Sequence, residues 1–364
     1  MTLLGEAVYE RAYYHCSHCH SGHFPTDAEF GLEDKQTPGA REVIALMGVL
    51  EPFDEAANSA LPRLSGLTVS PSTVQRTTEA AGADIATRRM AGETFGPQTP
   101  WDWHRDAEEN TVAYVGLDAT GVRQQGPHAE PVQGKMPWVA VVFNPQPTHQ
   151  KQSRRREQAS RYVSGLMDLD DIGQQLRREC QAVGVGRAER VIALTDGGSG
   201  LESCLVKVLG GLAQLMTFIL DFWHATEHVQ EFANVLVGDE EARRTQVTTW
   251  CHRLKHEGGG ALLDELEALD LSSLSAAALE GHRSLTGYLR NNKHRMDYPT
   301  YVRKGWQIGS GAVESACKSV VALRLKGPGM RWREYGTTAL CQLRSLYKSQ
   351  PDCWRDYWKT TNSA

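Results

Sequence analysis

The 364-residue chain has no long apolar run. Its longest uncharged stretch around an apolar maximum, Val208 to Leu220, is 13 residues, short of the roughly 20 a helix needs to span a bilayer. The start, Met1-Thr-Leu-Leu-Gly-Glu, has no basic opening, apolar core or small-residue cleavage site, so no secretory leader is expected and the chain is placed in the cytoplasm, away from membranes. Internal repeats and low-complexity tracts are absent. Cysteine is sparse and scattered, eight residues in all, which excludes a disulfide-stapled secreted scaffold. No charge sign dominates: 39 Lys plus Arg against 44 Asp plus Glu leave a formal charge of -5. With 40% hydrophobic residues, disordered, collagenous and membrane classes fall away, and two or three folded units fit the length.

The near balance hides an asymmetry. From Arg283 to Lys348, 13 Lys plus Arg face three acids, a net of +10, whereas Glu227 to Glu280 carries 11 acids and four bases, a net of -7. The basic block also holds Tyr298, Tyr301, Trp306, Trp332 and Tyr335. Cations interleaved with aromatics suit a phosphate backbone with occasional base or sugar stacking, although a solvated surface over buried aromatics has the same composition. A second basic cluster, Lys151-Gln-Ser-Arg-Arg-Arg156, falls in an expected loop.

Residues 1–36 are polar and aromatic and carry the one Cys-x-x-Cys pair, Cys16 and Cys19. Apolar spacing then predicts three short helices, from Arg41, over Asp54 to Leu64, and over Thr73 to Ala80. Gly66 supplies a turn between the last two, and a serine precedes the third. This outlines a helix-turn-helix in which Gln75 and Arg76 would meet bases or phosphates, though an ordinary helical bundle fits equally. Beyond a polar linker the period changes. Thr111 to Asp118, Pro137 to Phe143, Arg190 to Asp196 and Gln214 to Asp221 read as strands, with helical pattern between the later ones, so an α/β sheet is expected. From Ala225 to about Leu289 the chain is helical and acidic.

Three of these strands end on an acid: Asp118-Ala-Thr-Gly, Asp196-Gly-Gly-Ser-Gly and Asp221-Phe-Trp-His224. Strand ends of an α/β sheet open onto its ligand crevice, so acids remote in sequence can converge there. Converging carboxylates bind Mg2+ or Mn2+, and two such ions roughly 3.5 to 4 Å apart hold the attacking and leaving oxygens of phosphoryl transfer. A single strand-end aspartate is more often a turn or cap residue. A fourth acid lies in Gly309-Ser-Gly-Ala-Val-Glu314-Ser-Ala-Cys-Lys318, where Ser310 would cap a helix and Glu314 would either join the acids or pair with Lys318 one turn on.

These segments, together with Arg303-Lys-Gly-Trp-Gln-Ile ahead of Gly309 and Arg324-Leu-Lys-Gly-Pro-Gly-Met-Arg-Trp332 behind Glu314, resemble bacterial insertion-sequence transposases of the DDE class, specifically the Kra group. The likeness runs in order from about Tyr13 to the C-terminus. It implies an RNase H-like mixed sheet with a helical insertion before the glutamate helix and a small helix-turn-helix-like region in front. Asp118, Asp196 and Glu314 would be a triad holding two Mg2+ or Mn2+ ions. Asp221 and His224 match an auxiliary Asp-x-x-His element, and Asp221 is also a candidate for the second acid. His224 would orient Asp221, contact the scissile phosphate or shuttle a proton; as sequence alone it reads as a core histidine. Lys318, Arg324, Lys326, Arg331 and Arg333 would contact DNA, and Trp332 would either stack on a base or, as tryptophan more often does, sit in the core or at its edge.

Members of the family carry another cysteine pair ahead of Tyr13-Tyr-His-Cys-Ser-His-Cys, where this chain has 12 residues. A tetrahedral Zn2+ needs four ligands, and Cys16 and Cys19 supply two, with His20 or His23 as the irregularly spaced remainder. The expected organisation is a remnant zinc-ribbon-like segment over 1–36, a helical DNA-binding region over 37–104, core strands over 105–224, a helical insertion over 225–304, and the glutamate helix with the basic C-terminal region over 305–364. The implied function is cleavage at element ends and strand transfer into target DNA, with terminal inverted repeats as partners and a homodimer or larger assembly holding two ends. The alternatives are a catalytically silent, co-opted DNA-binding protein and an RNase H-type nuclease.

Overall fold

The computed structural model describes residues 1–3, 7–145, 159–198 and 200–362. The protein is mixed α/β. Its main sheet contains β1 (Thr111–Ala119), β2 (Trp138–Asn144), β3 (Ala159–Gly165), β4 (Arg190–Thr195) and β5 (Leu215–Leu220), in the spatial order β5-β4-β1-β2-β3. β1, β2 and β3 pair antiparallel, while β4 and β5 run parallel to β1. His104–Arg105 adds a short antiparallel pairing at the start of β1.

β1 is apolar without interruption because both sheet faces are covered. Val112 and Tyr114 enter one core with Phe222, Trp250, Leu289 and Val313. Ala113, Val115 and Leu117 enter the other with Ile172, Leu176 and Leu205. The second face is covered by α3 (Leu169–Ala182) and α4 (Leu201–Leu209); the first by α5 (Phe222–Leu236), α6 (Glu240–Glu267) and α7 (Ala276–Asn292). The acidic stretch is therefore helical as expected, and it packs on the sheet.

Ahead of the sheet, α1 (Pro38–Leu50), a helical segment over Phe53 to Ser65 and α2 (Pro71–Met90) bear out the three helices. α2 is longer than the apolar spacing suggested. Ser70 caps it, accepting from the Thr73 N–H at 3.1 Å, and Pro71 sits at its first position, where no N–H is missed. The glutamate helix α8 (Gly311–Ala316) continues through a wide turn, Cys317–Ala322, into Leu323–Leu325, followed by α9 (Glu334–Lys348) and α10 (Cys353–Asn362). Among the described residues, no helix is long and apolar enough to cross a membrane.

A buried charge network ties α2 to the sheet. Glu179 of α3 lies 3.3 Å from Arg161 of β3 and 3.9 Å from Arg89 of α2. Arg89 also donates to Gln342 and Ser345 of α9 at 2.7 and 2.8 Å. β3 is not among the expected strands; its Arg161 is accommodated because the guanidinium is spent on Glu179 and on the carbonyls of Phe95, Pro97 and Gln350.

Candidate active site

Strand register brings the aspartates together. β1 and β4 are parallel neighbours with Gly116 opposite Leu194, so the same register carried two residues further sets Asp118 beside Asp196. β4 and β5 are parallel with Thr195 opposite Leu220, which sets Asp221 on the other flank of Asp196. Three acids from separate strands thus line the carboxyl end of the sheet.

Glu314 reaches this row from α8. A Cβ on Gly116 would collide with the Val313 side chain, so the glycine two residues before Asp118 is what lets α8 lie directly on β1. The Glu314 carboxyl is raised above its ordinary value by partial burial and then by the charges of Asp221, Glu227 and Asp118, with His224 opposing. Burial likewise raises Asp118. The Ala119 N–H, donating at 2.6 Å, pulls it down, Asp196 pushes it up, and Cys317 and His224 lower it. The four acids form one electrostatic unit. Among the described residues, no three His, Cys, Asp or Glu side chains are set together as ligands of a single ion.

Asp221 and Asp196 differ in how they are used. Asp221 is 2% exposed; its Oδ1 accepts from the Trp223 N–H at 2.9 Å and its Oδ2 from the Ser310 hydroxyl. Asp196 is half-buried, with Oδ1 accepting from the Gly198 N–H at 2.8 Å. Ser310 stands at the start of α8, but its side chain makes no capping bond. The buried carboxylate claims the hydroxyl instead, because a hydrogen bond to an ionised acceptor is stronger than one to an amide. Together with the Phe222 N–H donating to the Ile308 carbonyl at 2.9 Å, this bond fixes the approach to α8.

Two further expectations are corrected. His224 does not orient Asp221; its Nδ1 lies 3.3 Å from Glu227 Oε2 on the same helix, while Asp221 turns back to cap α5. Glu314 does not pair with Lys318, because the helix widens from Cys317 onward and residues four apart no longer stack. Lys318 is exposed. Cys317 is instead the near neighbour: its thiol donates to Asp118 Oδ2 at 3.5 Å, and burial and the Asp118 charge keep it protonated. Lys326 stands at the rim, donating to Thr120 Oγ1 at 2.5 Å, two residues past Asp118.

The chain leaving α8 returns to the hairpin that follows β1, in which Val122–Gln125 pairs with Pro131–Lys135: the Trp332 N–H donates to the Arg123 carbonyl at 3.1 Å, and the Gln125 N–H to the Trp332 carbonyl at 2.8 Å. Beside this seam is a cleft of about 770 Å³ where Gln75 of α2 meets Arg331, Arg333 and Tyr335. Gln75, Arg331 and Arg333 are exposed. Arg324 is not the surface contact it was expected to be, and of the two readings of Trp332 the buried one holds. Arg324 is 2% exposed; its guanidinium donates to the Gly48 carbonyl at 2.9 Å and lies 4.6 and 5.1 Å from the Phe53 and Trp332 ring centres. Trp332 donates to the Leu325 carbonyl at 3.0 Å. A cation between two aromatic faces recovers by cation–π contact part of what it loses on leaving water, so both residues form the cleft floor. Arg76 is exposed but lines a separate cleft with Arg41 and Asp84. The basic cluster of residues 151–156 lies outside the described residues.

Cys16 and Cys19 are exposed at the bend of a short hairpin pairing Tyr14–His15 with Gly22–His23. Hydrogen bonds from Ser21, side chain first, and then from Cys16 lower the Cys19 thiol to about 7. Sequence reasoning missed Ser310 as the Asp221 partner and Cys317 beside Asp118. The Glu227 and His228 spacing from His224 was the one available signal, placing them on a common helix face. No protein-family model matches the chain, and no curated protein matches it.

Proposed function

We propose that this chain is a DDE-class transposase of the insertion-sequence type, cutting DNA at element ends and joining the freed 3' hydroxyl to target DNA. The observation that carries the reading is the adjacency of Asp118 and Asp196 at the ends of parallel strands, with Glu314 brought in over Gly116. Strand order β3-β2-β1-β4-β5, with an antiparallel β1 to β3 and parallel β4 and β5, supports an RNase H-like core. The helices between β5 and Glu314 correspond to the insertion.

An all-oxygen set of mutually repelling carboxylates fits hard divalent cations. Asp118, Asp196 and Glu314 are the residues that would hold Mg2+ or Mn2+; Asp221, with both oxygens engaged, serves to position the neighbouring helix starts. Such ions would supply an activated water or hydroxyl and neutralise charge on the leaving oxygen. Lys326 at the rim, and Arg331 and Arg333 at the cleft, offer cations to the DNA backbone, and Gln75 presents an amide to bases. Two element ends must be held at once, which favours a symmetric assembly on DNA.

Nicking of supercoiled plasmid in Mn2+ tests this. Cleavage that vanishes in Asp118→Ala is the expected result, and cleavage that survives in this variant rejects the assignment. DNA shifted in a gel but never cut on its cognate ends returns the DNA-binding alternative.

A further inference from the structure

Among the described residues near the acidic edge, Tyr288 of α7 has a polar atom left over. Its ring packs 4.0 Å from the His228 ring and 6.3 Å from that of His224. Its hydroxyl oxygen is buried and has no hydrogen-bond partner among the described residues. The hydroxyl is nonetheless in electrostatic range of Arg295, Asp196, Asp221 and Glu227. Three carboxylates are near enough to be felt, and none accepts its proton.

A buried hydroxyl without a partner costs on the order of 1–3 kcal/mol, and phenylalanine would fill the same space without that cost. Arg295 is buried, donates to Asn292 Oδ1 at 2.6 Å, pairs with Glu202 Oε2 at 3.0 Å, and stands with its guanidinium beside the Asp196-Gly197 turn. Tyr288 and Arg295, both from the end of the insertion, thus bring an O–H and a guanidinium to the same side of the acidic row. Arg295 already spends its charge on Glu202, so the O–H is the donor left over, and an anionic oxygen is its strongest acceptor. We propose that the Tyr288 hydroxyl donates to a non-bridging phosphate oxygen of the nucleic-acid strand entering this centre, so that the insertion contributes a strand-contacting residue to the site. The inference rests on reading the acidic row as a phosphodiester centre.

Tyr288→Phe tests it with three readouts on the full chain: thermal midpoint, Mn2+ affinity without DNA by electron paramagnetic resonance, and plasmid cleavage alongside oligonucleotide binding in Ca2+. The expected pattern is an unchanged or higher midpoint, unchanged Mn2+ affinity, and DNA binding or cleavage reduced about tenfold or more, the effect of one lost hydrogen bond to a charged group. Binding and cleavage at the wild-type level overturn the proposal. So does a midpoint lowered by several degrees, which marks a structural hydroxyl, or a loss of Mn2+ affinity without DNA, which marks a role at the carboxylates. In each of those cases the wild-type protein still cuts, and only the Tyr288 inference fails. Wild-type protein that neither binds nor cuts DNA overturns both it and the transposase reading.

Discussion

Two places in this molecule gather charge from distant parts of the chain, and they treat it oppositely. Between α2, β3 and α3, Glu179 faces two guanidiniums, Arg161 and Arg89, in a site closed to water. At the carboxyl end of the sheet, Asp118 lies in electrostatic range of both Asp196 and Glu314, while the nearby cation Arg295 pairs with Glu202 instead. Charge paired with its opposite holds elements together; like charge gathered at a strand edge waits for something from solution. The same acids, arranged as Glu179 is, would be structural.

The comparison is broken most severely at Glu179. Glu179→Ala leaves two buried guanidiniums without a counter-charge and is expected to destabilise by about 3–5 kcal/mol, measured by chemical denaturation. Gly116→Ala comes next. Its Cβ meets Val313, so a loss of about 1–3 kcal/mol is expected from overpacking, with cleavage falling further than stability because Glu314 is displaced. Ser310→Ala leaves one oxygen of buried Asp221 unpaired, with about 1–3 kcal/mol expected and a smaller loss of cleavage; Ser310→Thr, which keeps the hydroxyl, should restore most of both.

The smallest change has the opposite sign. Asp118 is raised by burial and by Asp196, so the folded, cation-free protein holds that proton more tightly than the unfolded chain. Stability therefore rises as pH falls from neutral through the raised value toward the ordinary carboxylate range, and it is lost as pH climbs back. Asp118→Asn should raise the thermal midpoint slightly at neutral pH and flatten this slope, the reverse of Glu179→Ala. A midpoint that drops in Asp118→Asn would make the acidic edge as structural as the buried network.

Much of the acidic edge was legible because its signal is local: an apolar run ending on an acid followed by small residues marks Asp118 and Asp196, and Ser70-Pro71 marks the start of α2. The buried network was not legible, since Arg89, Arg161 and Glu179 look like solvated residues until three elements close around them. Arg324 misled for the same reason, as nothing nearby in sequence announces that Phe53 and Trp332 will enclose it. Ser310 stood where a capping serine belongs, and only the fold supplies the carboxylate that draws its hydroxyl away. Tyr288 has no local pattern at all; its position depends on how α7 lies against α5.

The most direct test of the account is a Mn2+ titration, followed by electron paramagnetic resonance, of the wild-type protein beside Asp118→Asn, Asp196→Asn, Glu314→Gln and Asp221→Asn, each first shown to be folded. If Asp118, Asp196 and Glu314 form one cation-holding centre, each of their three variants weakens Mn2+ binding markedly, and Asp221→Asn weakens it least. Wild-type affinity in Asp118→Asn and Glu314→Gln, or loss confined to Asp221→Asn, would contradict it.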